Sequence, residues 1–447
     1  MKRLFTAIAA CLAVGLYGQQ CPVSLGSKTL YRPLQVQYTP VPKGFTPVFI
    51  NHVNRHSARH ITKDVQAGAL FRTIRYADSA GLLTTEGKRL YTMLQRFGNL
   101  EHPHVKNISD TGRMELQAIA RRMVQQYAGV FRQSAAVSVA YTKEVRTAQS
   151  ADAFLEAFRE ATGNAYHLVQ KVPNDTLLRF YDLSPAYVRY EKKGPWQKAY
   201  EALAARIGLD SISNAFAARI FRNGTKSEVN GLSARELALE VFGYGTIAAS
   251  VYPEARRAGW QPADIDFLGF FSCREQQQLS LADGAEDYLA KAPALNNNGV
   301  QTLIAAPLLN NFLNTTDSFI TSGKVQAQLR FAHAETIAPF AALLQLQGSS
   351  EVCADLARLP RCWDAASVIP LSANIQWILY RGPGNRYLVK VLLNEKETAI
   401  NGLPAKQFPY YDWAMVRAFY RKLLQQAGFS KAASAYAFLQ ALGEGKE

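Results

Sequence analysis

The sequence predicts an α/β fold: a core sheet flanked by helices, with an inserted, mainly helical cap subdomain. Two observations predict it. Short apolar runs of strand character, some passing into helical periodicity, lie towards both ends of the chain, and the long stretch between them carries mostly helical signals.

The first run, TPVFI at 46–50, follows a lead containing Pro40, Pro42 and Gly44 and reads as a buried strand ending near Val53. In the second, 137–141, Val137, Val139 and Tyr141 alternate on one face. From Thr147 the period changes, and Ala151, Phe154, Leu155 and Phe158 recur at helical spacing. In the third, Val325, Ala327, Leu329 and Phe331 alternate with Lys324, Gln326, Gln328 and Arg330. It runs into HAET (333–336) and a helix that turns Ile337, Phe340, Leu343 and Leu344 inward, with Gly348 just past its end. Thr336 is the expected cap, which would put Pro339 in the first turn, where its missing N–H is tolerated. ANIQWILYRGPGNRYLVKVLLNEKE reads as two strands joined at Gly382-Pro383-Gly384-Asn385, and a last helix covers about 411–427. Between 160 and 295, stretches such as SISN, RNGTKSE and REQQQ interrupt helical signals. That span is the expected cap, and 21–159 with 296–447 form the expected α/β core.

Residues 1–20 stand apart. Lys2 and Arg3 precede an apolar run from Leu4 to Tyr17, too short for the roughly 20 residues of a bilayer span. It reads as a signal peptide cleaved near Gly18, so the expected location is periplasmic or secreted. No later segment has the length and apolarity of a membrane span. Export allows disulfides. Cys353 and Cys362 flank a short polar loop and are the expected pair; Cys21 with Cys273 follows only by elimination. A lipid anchor on Cys21 is disfavoured by Gln20, since such sites prefer a small residue there. The chain has 50 Lys+Arg against 35 Asp+Glu, a net charge of +15. This excess favours anionic partners, and without basic blocks it lies over a folded surface or in a cleft. It permits nucleic acid, but no nucleic-acid motif supports that partner.

NHVNRHSARH (51–60) places His52, His56 and His60 four residues apart. On a helix they would form a metal-binding stripe. The flanks read as strand and then loop, where residues four apart are separated by about 13 Å. No HExxH or CxxC pattern accompanies them, so no metal is expected. The same stretch delivers Arg55, His56 and Arg59 to the carboxyl end of a strand, where α/β sheets bind ligands. The 137–141 strand is followed by Arg146, and the 325–331 strand by His333 and Glu335. Singly, each reads as an ordinary surface or half-buried group. Together, three strand ends point to one anion site.

These residues carry a resemblance. RHSARHI resembles the RHGxRxP signature of histidine acid phosphatases, and YTKEVRTAQSADAF is similar to that family's second-arginine motif, a strand followed by R-T-x-x-S-A. FAHAETIAPF resembles the HAE motif of one branch, the multiple inositol polyphosphate phosphatases. The likeness covers nearly the whole chain after the signal. It implies a histidine-phosphatase-like core and a two-step phosphomonoester hydrolysis that requires no metal or other cofactor. His56 would attack phosphorus, and Arg55, Arg59, Arg146 and His333 would hold the phosphoryl oxygens. Glu335 would protonate the leaving alkoxide and then help activate water. The chemistry suits these types: phosphoryl transfer is mainly positioning and charge stabilisation, and arginine's fork matches the oxygens. The nucleophile must be neutral, which nearby arginines favour. The acid must be protonated in the free enzyme, implying an acidic to near-neutral optimum.

The implied substrates are small phosphorylated molecules, phytate and lower inositol phosphates above all. Sugar phosphates are the alternative, and a catalytically silent polyanion-binding protein is a third reading. Two positions depart from the signature: Ser57 stands where it has Gly, and Ile61 where it has Pro. Ser57 is small enough to donate its hydroxyl to phosphate, and it could also distort the loop. In the cap, Arg219, Arg222 and Lys226 are candidates for outer phosphates, against a plainer role as solvated surface charges.

Overall fold

The structure, a computed structural model, describes residues 21–443 except 22, 36, 133, 223–230 and 430–433. The segment read as a signal peptide, and Lys226, lie outside the described residues. Eight strands form one sheet: β1 (Thr46–Arg55), β2 (Ala135–Tyr141), β3 (Tyr166–Pro173), β4 (Ala327–Ala332), β5 (Asn374–Arg381), β6 (Tyr387–Leu393), β7 (Lys396–Glu397) and β8 (Tyr410–Asp412). Their order is β3-β2-β4-β1-β5-β6-β7, with β8 paired to β6. The first four in that order run parallel; β5 is antiparallel to β1, and β6 to β5.

Six helices bear on the site: α1 (Asp110–Gln126), α2 (Val145–Ala161), α3 (Cys273–Lys291), α4 (Ala306–Ser322), α5 (Ala334–Leu343) and α6 (Trp413–Gln426). Strand alternation decides which helices cover which face. Phe49 and Val53 of β1, with Ile375, Trp377 and Leu379 of β5, pack with Phe312 of α4, Phe340 of α5 and Tyr420 of α6. On the opposite face Ile50, Val137, Val139, Leu329 and Phe331 meet Leu116 and Ile119 of α1 and Phe154 and Phe158 of α2. The sheet is thus buried between two helical layers.

Several local expectations shift. β3 falls inside the 160–295 span read as helical cap, yet it pairs with β2 at the sheet edge. Its residues are mostly exposed, so YHLVQKVP lacks the apolar alternation that marks a half-buried strand. The helices Ala69–Ser79 and Thr85–Glu101 come from the span read as core but share a hydrophobic cluster with Leu209–Ile220 and Ala234–Ala248 from the span read as cap. Thr336 is not the cap of α5: the helix starts at Ala334 with His333 as its cap residue. Pro339 therefore sits past the first turn, and the carbonyl of Glu335 lacks its usual helical partner. Thr336 instead receives the His333 N–H at 3.4 Å and donates to the Leu178 carbonyl at 2.7 Å. The disulfides Cys21–Cys273 and Cys353–Cys362 are both formed, the first tying the start of the described chain to the N-terminus of α3.

Candidate active site

Strand order alone brings the three motifs together. β4 lies between β1 and β2, all parallel, so their carboxyl ends meet at one edge. Arg55 is in register with Ala332, and Tyr141 with Phe331. The His56 N–H then donates to the Ala332 carbonyl at 2.8 Å. His333 is the next residue after β4, and Arg146 enters in the first turn of α2.

His56 is 4% exposed, and its ring centroid lies 5.5 Å from that of His333. Its Nδ1 is 3.1 Å from the Ser57 carbonyl oxygen. A carbonyl only accepts, so Nδ1 carries the proton and Nε2 keeps its lone pair. Burial first, then the charges of Arg55 and Arg146, hold His56 well below the ordinary imidazole range. It is a neutral imidazole among cations. His333 has the opposite tautomer. Its Nδ1 accepts from Arg146 Nη2 at 3.3 Å, and its Nε2–H donates to Thr142 Oγ1 at 2.9 Å. Burial, followed by Arg146, depresses it to about 3.

The arginines are fixed from behind. Arg55 Nη1 donates to the carbonyls of Ser27 and Ile369, the latter at 2.5 Å. Arg59 Nη1 donates to the His60 carbonyl at 2.8 Å. Burial, then Arg55 and Arg146, lower Arg59 to about 10. Arg146 pairs with Glu144 at 2.8 Å, and Arg179 holds the other oxygen of Glu144 at 2.6 Å. Cations crowded in this way favour a dianion among them.

Glu335, in the first turn of α5, has a half-buried carboxylate 3.1 Å from Lys291 Nζ, the last residue of α3. Lys291 also pairs with Asp287 at 2.7 Å. Burial alone would raise the Glu335 carboxyl, but Lys291, then His333 and Arg55, outweigh it and hold it well below the usual carboxylate range. The resemblance implied a protonated acid in the free protein. The unliganded geometry holds a carboxylate instead, because a lysine distant in sequence lies beside it.

The Ser57 hydroxyl lies against α1. It is wholly buried with no hydrogen-bond partner, packed on Gly112 of α1, where an added Cβ would stand 2.5 Å from Ser57 Oγ. Its N–H lies 3.3 Å from Ser150 Oγ, the serine of R-T-x-x-S-A. The regularly spaced histidines do not share a site. His52 is buried against Phe154 and Phe331, and His60 lies 3.4 Å from Glu101 and 3.8 Å from Glu254. In the span read as cap, Arg219 pairs with Glu275 at 3.0 Å, and Arg222 donates to the Leu83 carbonyl at 3.1 Å.

Four residues escaped sequence reading. Buried Glu115 of α1 accepts from the Ala58 N–H at 3.0 Å, the Tyr31 N–H at 2.7 Å and the Ser372 hydroxyl at 2.7 Å, pinning the loop after His56. Gly112 lets that loop lie on α1, Thr142 orients His333, and Lys291 holds Glu335. A helical pattern marks Glu115 and Lys291 only as polar; the one local signal was Gly112, a glycine inside a helix. Beside Arg59 opens a cleft of about 510 Å³, lined also by Lys28, Lys63, Asp64, Glu240 and Tyr244.

No protein-family model and no curated protein matches the chain. Solved structures do share its fold. A multiple inositol polyphosphate phosphatase from Bifidobacterium longum, in complex with inositol hexasulfate, aligns with a TM-score of 0.77 at 21% identity, over 87% of this chain and 96% of that one. The phytase from D. castellii aligns with a TM-score of 0.63 at 15% identity, over 92% of this chain and 88% of that one. A Klebsiella phytase aligns with a TM-score of 0.51 at 14% identity, over 88% of this chain and 99% of that one.

Proposed function

We propose that this chain is an exported phosphomonoesterase of the histidine acid phosphatase superfamily, in its multiple inositol polyphosphate phosphatase branch, acting on phytate and lower inositol phosphates. One observation carries the reading. A buried imidazole kept neutral, with a free Nε2, lies among Arg55, Arg59 and Arg146 where three parallel strands end. The solved structures of the same fold are named as inositol polyphosphate phosphatases and phytases, which supports the substrate class. The two disulfides support an oxidising, exported location.

The reaction runs in two displacements. A phosphoryl group enters between the guanidiniums, and Arg146 exchanges His333 for a phosphoryl oxygen. His56 Nε2 attacks phosphorus; the P–N bond forms as the bond to the ester oxygen breaks. Glu335, protonated by then, gives its proton to the departing alkoxide. In the second step Glu335, now a carboxylate, takes a proton from water as the water oxygen attacks phosphorus. The P–N bond breaks, phosphate leaves and the Nε2 lone pair returns. The Nδ1–H bond to the Ser57 carbonyl keeps the ring oriented throughout. Ser57 contributes packing, not a phosphate contact.

The test is phosphate release from phytate with a chelator present, beside rapid-quench trapping of acid-labile phosphate on His56. His56→Ala should abolish turnover and trapping. Turnover in that variant would refute the nucleophile. Activity on sugar phosphates alone would leave a broad acid phosphatase, and inertness on every phosphomonoester would leave a polyanion-binding relative.

A further inference from the structure

We propose that Lys291 is a latch on Glu335, and that a second phosphate of the substrate, adjacent to the one being removed, releases it. The inference rests on the phosphatase reading above and concerns how that site reads its substrate.

The latch is a three-membered chain. Asp287 and Lys291 lie one turn apart on α3, and the ammonium bridges 2.7 Å to Asp287 and 3.1 Å to Glu335. The Lys291 side chain is 19% exposed, so it is not sealed inside the core. Glu335 is faced from the end of β1 by Arg55, from the loop after it by Arg59, and from its own turn by His333. Tyr181, Tyr187 and Glu191 face it from the segment after β3, and Lys291, backed by Asp287, faces it from α3. Arg55 and Arg59 are aimed at the scissile phosphate. Lys291 is the cation in direct contact with the carboxylate, so it is the one whose departure changes the proton donor.

The geometry of catalysis then dictates what can remove it. Glu335 must reach the oxygen that links the scissile phosphate to its carbon. A phosphate on the neighbouring carbon stands beside that oxygen, and therefore beside Glu335 and its lysine. A phosphate dianion competes for the ammonium against a single carboxylate charge. Once Lys291 turns to it, Glu335 loses an adjacent positive charge and gains an adjacent negative one. Both changes favour the protonated carboxyl that the first step consumes. A monophosphate offers only a hydroxyl at that position and leaves the latch closed. Discrimination thus enters kcat as well as binding.

The test compares the alkaline limb of the kcat–pH profile for phytate and for glucose 6-phosphate. In the wild type the phytate limb should lie about 1 pH unit or more above the other, the size of shift a contacting opposite charge produces. In Lys291→Met the glucose 6-phosphate limb should rise, and the separation should narrow to what the charge of the neighbouring phosphate alone produces. Coincident limbs in the wild type, or a separation in Lys291→Met as wide as the wild type's, would overturn the latch. Because that variant strips Asp287 of its partner, Lys291→Met with Asp287→Asn is measured in parallel. A second readout needs no turnover. In ¹³C NMR of the Glu335 carboxyl, inositol hexasulfate should raise the titration midpoint of the wild type more than inorganic sulfate does, and Lys291→Met should narrow the difference; an unchanged difference would overturn the latch. A protein that hydrolysed no phosphomonoester would fail the functional reading, while this titration would still decide the latch.

Discussion

Gly112 of α1 lies directly against Ala58, two residues beyond His56: a methyl group on Gly112 would overlap the Ala58 carbonyl and stand 2.5 Å from Ser57 Oγ. The loop therefore rests on helix backbone, where Glu115, one turn on, takes the Ala58 N–H at 3.0 Å. Gly112→Ala should push the loop off α1 and move His56 relative to the arginines. Overpacking of this kind typically costs 1–3 kcal/mol, and misplacing a reacting group by about 1 Å costs on the order of 10²-fold in rate. Gly284→Ala on α3, where an added Cβ meets nothing within 4 Å, is the control and should gain helix stability of up to about 1 kcal/mol. Phosphate-release rates and melting curves for the pair check this. A wild-type rate in Gly112→Ala would mean that α1 does not position the loop.

Ser57→Gly should leave activity unchanged or raise it. Ser57 is not among the residues with positive φ, so the backbone there does not need glycine's freedom. Its hydroxyl is buried without a partner, which in proteins costs roughly 1–3 kcal/mol, so losing it offsets glycine's entropic penalty. A tenfold fall in kcat on phytate would show that the hydroxyl contacts phosphate after all.

How much of this was legible depended on the range of the interactions. Arg55, His56, Arg59, Arg146, His333 and Glu335 could be found because each stands at the end of a run whose apolar period is local. Their convergence needs parallel strands that are also neighbours. The sheet order was not legible, since the place of β4 between β1 and β2 is set by packing across most of the chain. The exposed edge strand β3 left no apolar period to read. Gly112, Glu115 and Lys291 act on the site from other helices, and a helical period records which face is polar, not what that face will touch. For Glu335 this mattered chemically: the resemblance implied a protonated acid, and the lysine of α3 beside it favours the carboxylate.

Stability should fall with acid before the carboxylates titrate. His52, fully buried with neither ring nitrogen hydrogen-bonded, is lowered to about 3 by burial and then by Arg330. His333 is lowered to about 3 as well, and His56 well below its ordinary value. Between pH 6.5 and 3 the unfolded chain binds protons at these positions that the folded chain refuses, so stability is lost as pH falls through that window. Each histidine contributes a slope of up to about 1.4 kcal/mol per pH unit. His52→Leu should therefore remove about 2 kcal/mol of the loss between pH 7 and pH 5. Glu335 does not interfere, because a depressed carboxylate loses its contribution only below its unfolded value of 4.5. Urea titrations at the two pH values decide it. An unchanged difference in His52→Leu would mean that His52 titrates normally in the fold.

Glu335→Gln should separate the two chemical steps by leaving group. Inositol departs as an alkoxide and needs a proton in the transition state; nitrophenolate does not. Loss of a general acid typically costs about 10²–10⁴-fold, so phosphohistidine formation from phytate should slow by that order. Formation from p-nitrophenyl phosphate should be nearly unaffected. Hydrolysis of the phosphohistidine should slow for both, because the same carboxylate takes the proton from water in the second step. The variant should therefore release one equivalent of nitrophenolate in a burst and then turn over slowly, with phosphate retained on His56. Glutamine keeps the size of the side chain and its carbonyl oxygen toward Lys291, so loss of packing is not the variable. Stopped-flow measurement of the burst decides the matter: a burst as slow as the reaction with phytate would mean that Glu335 is not the acid, and a steady rate equal to the wild type's would mean that it is not the base.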